Sequence, residues 1–334
     1  MEAGLLYEYF IMNILVTGCA GFIGYHLCKS LLENSNYNIY GIDSVNNYYD
    51  INIKKERLSI LKKNKKFKFY KFDLSNEKIL NKNFKNNNYQ IVINMAAQAG
   101  VRHSINNPDQ YFDSNLKAFY NLINLSRIYK IKHFIFASSS SVYGDLKKFP
   151  LKENNNTDKP LSFYAATKKC NEVIAYSFSN IYKLNCTGLR FFTVYGPHGR
   201  PDMALYKFVK NINLNKHVNL NNNGNHIRDW TYIDDVVNQI SKIIKLKKSS
   251  KNKIPYNIYN IGSSNPKSLK YFLKIIEKNL NKKASIKYSK FQIGDVYKTH
   301  ADNSLIQSIT KTKIKVNIEN GIAKFIKWYK DYYK

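Results

Sequence analysis

The feature that most constrains the fold is a glycine-rich turn directly after an apolar segment. Residues 13–17 form a short apolar run, and Gly18, Gly21 and Gly24 follow it, before a helical pattern that continues to about residue 33. A continuous apolar run of this length is typical of a buried parallel strand. The glycines permit a tight turn, and the helix after it presents its N-terminal N–H groups. Residues 13–33 are therefore predicted to form a strand–turn–helix unit.

Apolar runs continue to alternate with helical patterns through the first half of the chain. Five more strands are predicted, over residues 38–42, 67–72, 91–95, 133–137 and 185–191. One predicted helix, over 108–129, joins the fourth and fifth strands, and another, over 163–182, precedes the sixth. Strands that alternate with helices in this way form parallel sheets covered on both faces. The predicted fold class is α/β, with a Rossmann-type doubly wound parallel sheet.

The second half of the chain has a less regular pattern, with helices predicted over 203–214, 233–246, 268–278 and 318–333. We expect residues 12–192 to form the Rossmann domain, to which a segment near 233–262 returns. Residues 193–334 should form mainly a smaller mixed α/β lobe that binds substrate over the carboxyl ends of the strands. Residues 1–11 precede a second methionine, and we expect them to be a disordered extension.

The formal net charge of +30 arises from 53 lysines and arginines against 23 acidic residues. Most of the excess is lysine, spread along the whole chain among asparagines, which is typical of a solvated surface. No helix-turn-helix or RNA-binding signature accompanies the charge, so we expect no nucleic-acid partner. A positive field would instead favour a substrate that carries two or three negative charges.

Cysteine usage and targeting patterns indicate a compartment. The four cysteines lack the paired spacing of a metal site, so we expect reduced thiols and no bound metal at Cys19, Cys28, Cys170 and Cys186. The sequence shows no signal peptide and no apolar run long enough to cross a bilayer. We therefore expect a cytoplasmic protein with no membrane partner.

The glycine turn acquires a specific meaning from an acidic residue downstream. Asp43 lies 19 residues after Gly24, at the end of the second predicted strand. The glycines allow a pyrophosphate to approach the backbone, while a carboxylate here accepts hydrogen bonds from both ribose hydroxyls and repels a 2′-phosphate. The pattern therefore predicts NAD rather than NADP. The Gly-x-x-Gly spacing departs from the commoner Gly-x-Gly fingerprint, and the alternative is an ordinary strand-end turn with a capping aspartate.

A tyrosine and a lysine are the candidates for acid–base chemistry. Tyr164 and Lys168 are four residues apart on a predicted helix, so their side chains lie on one face. There the ammonium can stabilise a phenolate and lower the tyrosine pKa toward neutrality. Beside a nicotinamide, such a phenolate takes a hydroxyl proton while hydride leaves the same carbon. The alternative is a pair that merely shares a helix face.

Together these motifs resemble the extended short-chain dehydrogenase/reductases, and more closely their nucleotide-sugar epimerases. The resemblance covers nearly all of residues 12–330. It rests on the stretches Thr17–Gly24, Asn94–Gln98, Ser138–Gly144, Tyr164–Lys168, Leu189–Pro197, Arg228–Thr231 and Gly294–Val296. A narrower likeness to the UDP-glucuronate 4-epimerases rests on residues 96–102, 138–144 and 199–205.

The resemblance implies an isomerase that keeps NAD tightly bound and passes through a transient 4-keto sugar. Tyr164 is the implied base at the sugar 4-hydroxyl, and Lys168 would lower its pKa and bind the nicotinamide ribose. Ser139 would relay the proton, with Ser140 or Ser141 as alternatives. Asp73 and Leu74 would lie by the adenine ring, although Asp73 can also be an exposed loop acid. The full set of expected cofactor-binding residues is Gly18, Gly21, Phe22, Ile23, Gly24, Asp43, Asp73, Leu74, Ala96, Tyr164 and Lys168.

The resemblance also implies a site for a UDP-sugar. Arg228 would grip the diphosphate as a bidentate guanidinium, and Asp295 would lie near the uridine ribose. Arg102 would assist at the phosphates or else form a surface ion pair. Side chains with hydrogen-bond donors suit a C6 carboxylate better than a neutral hydroxymethyl group. One of these side chains, Arg200, could instead brace a loop. The residues expected around C6 are Ser140, Ser141, Thr193 and Arg200.

The implied reaction converts UDP-glucuronate to UDP-galacturonate for cell-surface polysaccharide precursors. Related dehydratases carry an Asp–Glu pair, and decarboxylases a glutamate, where this chain has Ser140 and Ser141. The enzymatic rival is a 4-epimerase for UDP-galactose or UDP-N-acetylhexosamine, although the galactose enzymes usually carry asparagine at Thr193. A catalytically silent NAD-sensing regulator and an RNA-binding protein are rivals from other classes. The resemblance further implies a homodimer formed through helices near 107–129 and 163–182.

Overall fold

The computed structural model describes residues 11–246 and 253–334 of the chain. Residues 1–10 of the predicted extension therefore lie outside the described residues. The strands in the described ranges are β1 Met12–Thr17, β2 Tyr37–Asp43, β3 Phe67–Lys71, β4 Ile91–Asn94, β5 His133–Ser139, β6 Cys186–Phe191, β7 Thr193–Tyr195, β8 Val218–Asn221, β9 Ile227–Tyr232, β10 Tyr256–Ile261, β11 Pro266–Ser268 and β12 Ile286–Ser289.

The α-helices in the same two ranges are α1 Phe22–Leu32, α2 Ile51–Lys62, α3 Glu77–Asn86, α4 His103–Asn106, α5 Pro108–Tyr111, α6 Ala118–Ile128, α7 Phe163–Tyr182, α8 Ala204–Asn213, α9 Ile233–Ile244, α10 Leu269–Leu280, α11 Ser304–Thr310 and α12 Ile318–Tyr332. Helix α7 begins after Ser162, whose hydroxyl accepts a hydrogen bond from the amide of Ala165 at 3.1 Å. This cap satisfies one N–H group of the first turn and fixes where the helix starts. The face shared by Tyr164 and Lys168 is therefore set from the first turn onward.

The central sheet has seven strands in the order β10-β6-β5-β4-β1-β2-β3, and every neighbouring pair is parallel. Strand order reverses between β1 and β4, which is the point where such sheets bind ligands beyond their carboxyl ends. The predicted α/β fold class is confirmed. Each of the six predicted strands is present within two residues of its expected bounds.

The helix predicted over 108–129 differs from the structure in its middle. Helices α5 and α6 are joined by a π-helical segment, Phe112–Lys117. Within it, the Asn115 side chain bonds the backbone N and O of Gln98 at 2.8 and 3.0 Å, and the Thr167 hydroxyl at 3.1 Å. These contacts tie the wide turn to the loop after β4 and to α7. The local sequence pattern does not contain such contacts, so it predicted one uninterrupted helix.

The second half of the chain contributes one strand to the central sheet and forms two smaller sheets. Strand β10 pairs in parallel with β6, while β7, β9 and β11 form a second sheet and β8 pairs with β12. The helices expected here are present as α8, α9, α10 and α12. One apolar core joins the two halves, since Ile14 and Leu27 belong to the same buried cluster as Ile240 and Phe272.

Candidate active site

A cavity of about 530 Å³ opens at the carboxyl ends of the central strands. Arg102 is the single predicted site residue that does not contribute to its lining. The predicted residues that line it are Gly18, Gly21, Phe22, Ile23, Gly24, Asp43, Asp73, Leu74, Ala96, Ser139, Ser140, Ser141, Tyr164, Lys168, Thr193, Arg200, Arg228 and Asp295. The structure therefore brings the predicted cofactor and substrate residues together in one cleft.

The glycine turn packs so closely that a side chain would displace backbone atoms. Gly18 has a φ of +69°, and a Cβ there would lie 2.7 Å from the amide nitrogen of Ala96. A Cβ on Gly24 would lie 2.1 Å from the carbonyl oxygen of Gly18. Helix α1 follows with Gly21 as its N-cap and no side-chain capping bond. Its N-terminal N–H groups thus face the cleft in an arrangement that suits a pyrophosphate.

Asp43 is held in a fixed orientation at the end of β2. One carboxylate oxygen accepts a hydrogen bond from the amide of Ala20 at 3.0 Å, and the other from the amide of Val45 at 2.7 Å. Burial raises the pKa of Asp43, while these amides and the charges of Lys54 and Arg57 act in the opposite direction. Each oxygen keeps a lone pair for a further donor, so the group fits a pair of ribose hydroxyls.

The residues expected near the adenine ring and the strand-four backbone also face the cleft. Leu74 is buried, whereas Asp73 is exposed and its carboxylate accepts a hydrogen bond from the amide of Ser75 at 2.8 Å. Asp73 is therefore a loop acid that also lines the cavity. The amide of Ala96 bonds the Thr17 hydroxyl at 3.3 Å, which ties the end of β4 to the strand before the glycine turn.

Tyr164, Lys168 and Ser139 meet at the centre of the cleft. The Lys168 Nζ lies 5.9 Å from the centroid of the Tyr164 ring and donates a hydrogen bond to the carbonyl oxygen of Ala137 at 2.9 Å. Burial lowers the pKa of Lys168 to about 8. The Ser139 hydroxyl donates a hydrogen bond to the Ser141 hydroxyl at 3.0 Å, and it also acts to lower the pKa of Tyr164. Of the three candidate serines, Ser139 is the one that influences the pKa of Tyr164.

The pKa of Tyr164 differs from the expectation. Burial raises it above its ordinary value, while the hydrogen bond from Ser139 and the charge of Arg200 act to lower it. Burial dominates, so the pKa of Tyr164 lies above its ordinary value and not near neutrality.

A buried ion pair that the sequence reasoning missed supports the serine run. Glu172 lies on the same face of α7, one turn after Lys168, and forms a bidentate pair with Arg190 at 2.9 and 2.8 Å. Its carboxylate also accepts a hydrogen bond from the Ser138 hydroxyl at 2.5 Å. The spacing of four residues from Lys168 was the available signal, since it continues the face that Tyr164 begins.

The donors expected around C6 all contribute to the cavity lining. Ser140, Ser141 and Thr193 line the cavity together with Arg200. The Arg200 guanidinium forms a bidentate pair with Asp202, with distances of 3.0 and 2.5 Å. Arg200 therefore lines the cleft and is also braced by its own loop.

Elsewhere at the same cleft, one carboxylate joins two arginines. Asp295 pairs with Arg228 at 3.0 Å and with Arg102 at 3.3 Å, and His226 lies 3.5 Å from the same carboxylate. Arg228 is on the cavity wall, whereas the Arg102 side chain is half exposed and lies outside the lining. The geometry of Arg102 is that of the surface ion pair weighed as its alternative.

Helix α2 and the segment before it contribute residues that no motif indicated. Tyr48, Tyr49 and Lys54 line the cavity, and Lys54 donates hydrogen bonds to the backbone and side-chain oxygens of Asn46 at 2.8 and 2.7 Å. Arg57 is completely buried behind them. In a chain so rich in lysine, a Lys and an Arg three residues apart give no sequence signal, because such spacings recur on solvated helix faces.

Three further features of the described ranges concern metals, thiols and membranes. No group of three or more His, Cys, Asp or Glu side chains there is arranged to hold a metal ion. The cysteines are free thiols, with Cys170 exposed and the other three buried. Among the helices of residues 11–246 and 253–334, none is both long and apolar enough to cross a bilayer.

Known proteins share this chain's sequence and architecture. The NAD dependent epimerase/dehydratase family matches residues 14–262. Protein CapI of Staphylococcus aureus is 46% identical, over 97% of this chain and 100% of that protein. A probable UDP-glucuronate 4-epimerase of Rhizobium meliloti is 37% identical, over 97% of this chain and 98% of that protein.

A solved structure gives the same result for the fold. The UDP-glucuronic acid 4-epimerase of Bacillus cereus, crystallised with UDP-glucuronic acid and NAD, is 32% identical and has a TM-score of 0.90. The match covers 96% of this chain and 100% of that one. The resemblance inferred from the motifs is confirmed. This chain belongs to the NAD dependent epimerase/dehydratase family.

Proposed function

We propose that this protein is an NAD-dependent isomerase that converts UDP-glucuronate to UDP-galacturonate through a transient 4-keto sugar. The observation that carries the proposal is the meeting of Tyr164, Ser139 and Lys168 in one cleft, between the glycine turn and the donors around Arg200. The likeness to 4-epimerases of UDP-glucuronate in both sequence and fold supports the same substrate.

The cleft fits NAD on chemical grounds. Gly18 and Gly24 leave room that a Cβ would fill, the N-terminus of α1 suits the pyrophosphate, and the oriented Asp43 carboxylate suits a ribose without a 2′-phosphate. Leu74 and Ala96 would flank the nucleotide. Bound NAD supplies the acceptor and donor of the hydride, and its positively charged ring favours a phenolate beside it.

The protein side chains carry out the proton transfers. Tyr164 takes the proton of the sugar 4-hydroxyl while the C4 hydrogen leaves as hydride, which gives a ketone at C4. Ser139, whose hydroxyl acts on the Tyr164 side chain, would relay that proton. Lys168 binds the nicotinamide ribose and holds positive charge near the phenol. Return of the hydride to the opposite face of the ketone, with the same proton, gives the epimer and leaves the redox balance unchanged.

The sugar end of the cleft favours a carboxylate at C6. Oxidation of glucuronate at C4 makes a β-keto acid, which tends to lose carbon dioxide, so the carboxylate must be held in an orientation that disfavours cleavage. Ser140, Ser141 and Thr193 offer hydroxyl donors, and Arg200 offers a guanidinium. Arg228 would bind the diphosphate, Asp295 would lie near the uridine ribose, and Arg102 would assist from outside the lining.

A 4-epimerase for UDP-galactose or UDP-N-acetylhexosamine is the enzymatic alternative. Such an enzyme would place a neutral C6 group beside Arg200. Among the described residues, Asp202 would then be the only acidic group within ion-pair distance of the Arg200 guanidinium. A silent NAD-sensing regulator would not need Tyr164, and this chain keeps it. An RNA-binding protein would need binding that survives physiological salt with a sequence preference.

The test is to incubate purified protein separately with UDP-glucuronate, UDP-glucose and UDP-N-acetylglucosamine and to resolve the epimers by NMR. We expect conversion of UDP-glucuronate alone, without added NAD, because the cofactor stays bound through a redox-neutral cycle. Conversion of UDP-glucose but not UDP-glucuronate would overturn the choice of substrate. If none of the three is converted, the proposed isomerase activity is wrong and the NAD-sensing regulator is favoured.

The proposed enzyme also has an oligomeric state, a location and a division into domains. We infer a homodimer through α6 and α7, which leave large apolar side chains on the surface: Tyr120, Ile128, Val173, Tyr176, Ile181 and Tyr182. Residues 12–192, with the returning segment 233–262, would bind NAD, and the rest of 193–334 would mainly bind substrate. A cytoplasmic site of action and a role in making cell-surface polysaccharide precursors complete the proposal.

A further inference from the structure

A buried guanidinium bonds three segments that border the cleft: the glycine turn, the segment before α2 and the loop 197–200. Arg57 of α2 is 0% exposed. Its Nη1 donates to the carbonyl oxygen of Ala20, in the glycine turn, at 2.7 Å and to the Tyr49 hydroxyl at 2.8 Å. Its Nη2 donates to the carbonyl oxygens of His198 at 2.7 Å and Gly199 at 3.4 Å. These last two residues directly precede Arg200 in the chain.

The acceptors of Arg57 are all neutral. A buried charge is costly unless hydrogen bonds or an opposite charge compensate for it. Here three backbone carbonyls and one hydroxyl provide the hydrogen bonds, while the carboxyl groups of Asp43 and Glu56 act on the same charge without bonding it. The Nε has no acceptor among the described residues. The carbonyl acceptors belong to two separate segments, the glycine turn and the loop 197–200. Moving either segment away would leave the Arg57 charge with too few hydrogen bonds. The guanidinium therefore favours one relative position of the two.

A second contact acts between the same parts. His26, on α1 after the glycine turn, bonds the carbonyl oxygen of Pro197 through its Nε2 at 2.9 Å. The loop 197–200 is thus attached both to the turn and to the helix that begins at it. On the other side, this loop ends at Arg200, whose guanidinium lines the sugar end of the cleft.

We propose that Arg57 is a positioning residue that couples the glycine turn to the loop 197–200, so that occupancy of the dinucleotide side favours the carboxylate-binding position of Arg200. The inference rests on the proposed function, because it assigns the loop to the sugar of UDP-glucuronate. Coupling of this kind is reciprocal, so a ligand that engages the loop also strengthens binding at the turn.

Release of bound NAD tests the coupling without relying on turnover. The rate at which the wild-type protein releases NAD should be at least fivefold slower with saturating UDP-glucuronate than with saturating UDP, which lacks the sugar. In Arg57→Met the two rates should agree within twofold. Arg57→Lys keeps the charge but has one nitrogen for two segments, and it should give an intermediate ratio. Equal ratios in wild type and Arg57→Met would overturn the coupling.

A double-mutant cycle provides the second measurement. Arg57→Met alone should raise the KM for UDP-glucuronate at least tenfold, with a smaller change in kcat. In an Arg200→Met background, Arg57→Met should raise the KM for UDP-glucuronate less than threefold, because the residue through which Arg57 acts is gone. Fully multiplicative effects would show that Arg57 acts elsewhere.

A matched control separates positioning from general loosening of α2. Leu61 lies on the same helix and is buried, so Leu61→Ala should lower the melting temperature while it leaves the ratio of NAD release rates unchanged. A similar loss of the ratio in Leu61→Ala would reduce Arg57 to a packing residue. If wild type fails to epimerise UDP-glucuronate, the proposed function falls. If wild type epimerises it and Arg57→Met behaves like wild type, only the coupling falls.

Discussion

At the scale of single residues, the chemistry depends on the protonation of two buried side chains. Burial raises the pKa of Tyr164 and lowers that of Lys168, so in the protein without a ligand both groups are pushed toward their neutral forms. A base must be ionised to act. For Tyr164 to act as the proposed base, a charge outside this pair must favour its ionised form.

Replacement of Tyr164 by phenylalanine tests the base assignment. Tyr164→Phe removes the hydroxyl that takes the sugar proton, and we expect kcat to fall by about 10²–10⁴-fold. Bound NAD should remain, since the glycine turn and Asp43 are untouched. The measurements are the epimerisation rate by NMR and the NAD content of the purified protein. Tyr176→Phe, on an exposed position of the same helix, is the control and should keep full activity.

Lys168 should make the stability of the NAD-free protein depend on pH. Its pKa is about 8 when folded and 10.5 ordinarily, so the unfolded chain binds more protons between those values. Stability from this group therefore rises as pH increases from 8 to 10.5, by roughly 3 kcal/mol at about 1.4 kcal/mol per pKa unit.

Urea unfolding of wild type and Lys168→Met measures this contribution. Because both proteins share every other titrating group, the difference between their unfolding free energies isolates Lys168. We expect Lys168→Met to be the more stable protein at pH 7 and to lose that advantage by pH 10.5. A difference that stays constant over this range would contradict the lowered pKa of Lys168.

At the scale of secondary structure elements, the pair between α7 and β6 fixes the strand that carries the serine run. Glu172 and Arg190 are both buried, and the Glu172 carboxylate also holds Ser138. Glu172→Gln would leave the Arg190 charge buried without its counter-charge. Loss of one partner of a buried pair costs about 3–5 kcal/mol. The free energy of unfolding in urea measures this loss.

The control for that experiment is Glu33→Gln, at the exposed end of α1, which should change stability by no more than about 0.5 kcal/mol. A loss below about 1 kcal/mol in Glu172→Gln would mean that water or a neighbouring group compensates for Arg190. Epimerisation should fall along with stability, since Ser139 follows Ser138 directly in the chain.

The sequence predicted the elements whose signal is local. The strands β1 to β6 are short apolar runs bounded by turns, and α7 has a serine cap and a regular face. The π-helical segment Phe112–Lys117 was not predictable, because it depends on Asn115 reaching Gln98 and Thr167 across the fold. Short strands such as β7 and β11 are equally hard to predict, since their pairing partners lie far away in the chain.

The same distinction applies to the site. Gly18, Asp43, Tyr164 and Lys168 belong to spaced motifs, and all of them line the cleft as expected. Arg57 gave no signal, because three of its four partners are backbone carbonyls and any residue type can provide a carbonyl. The direction of the Tyr164 pKa was also missed, since burial is a property of the whole fold and is not visible in a four-residue spacing.

At the scale of the whole molecule, the exposed apolar face of α6 and α7 predicts the oligomeric state. Val173 is 56% exposed in the middle of α7. Val173→Glu would place a charge in the proposed interface, so we expect a monomer in sedimentation velocity while wild type sediments as a dimer. Leu214→Glu, at an apolar exposed position after α8, should remain a dimer. A wild-type monomer would remove the proposed interface altogether.

The position of β10 has a consequence for how the chain is made. This strand occupies the edge of the central sheet beside β6, although 64 residues separate the end of one from the start of the other. Until a ribosome has released residue 261, β6 keeps an unpaired row of amides and carbonyls, which is the kind of edge that recruits foreign strands. Nascent or prematurely terminated chains should therefore be the species that chaperones hold and that aggregate, even though the finished protein hides that edge.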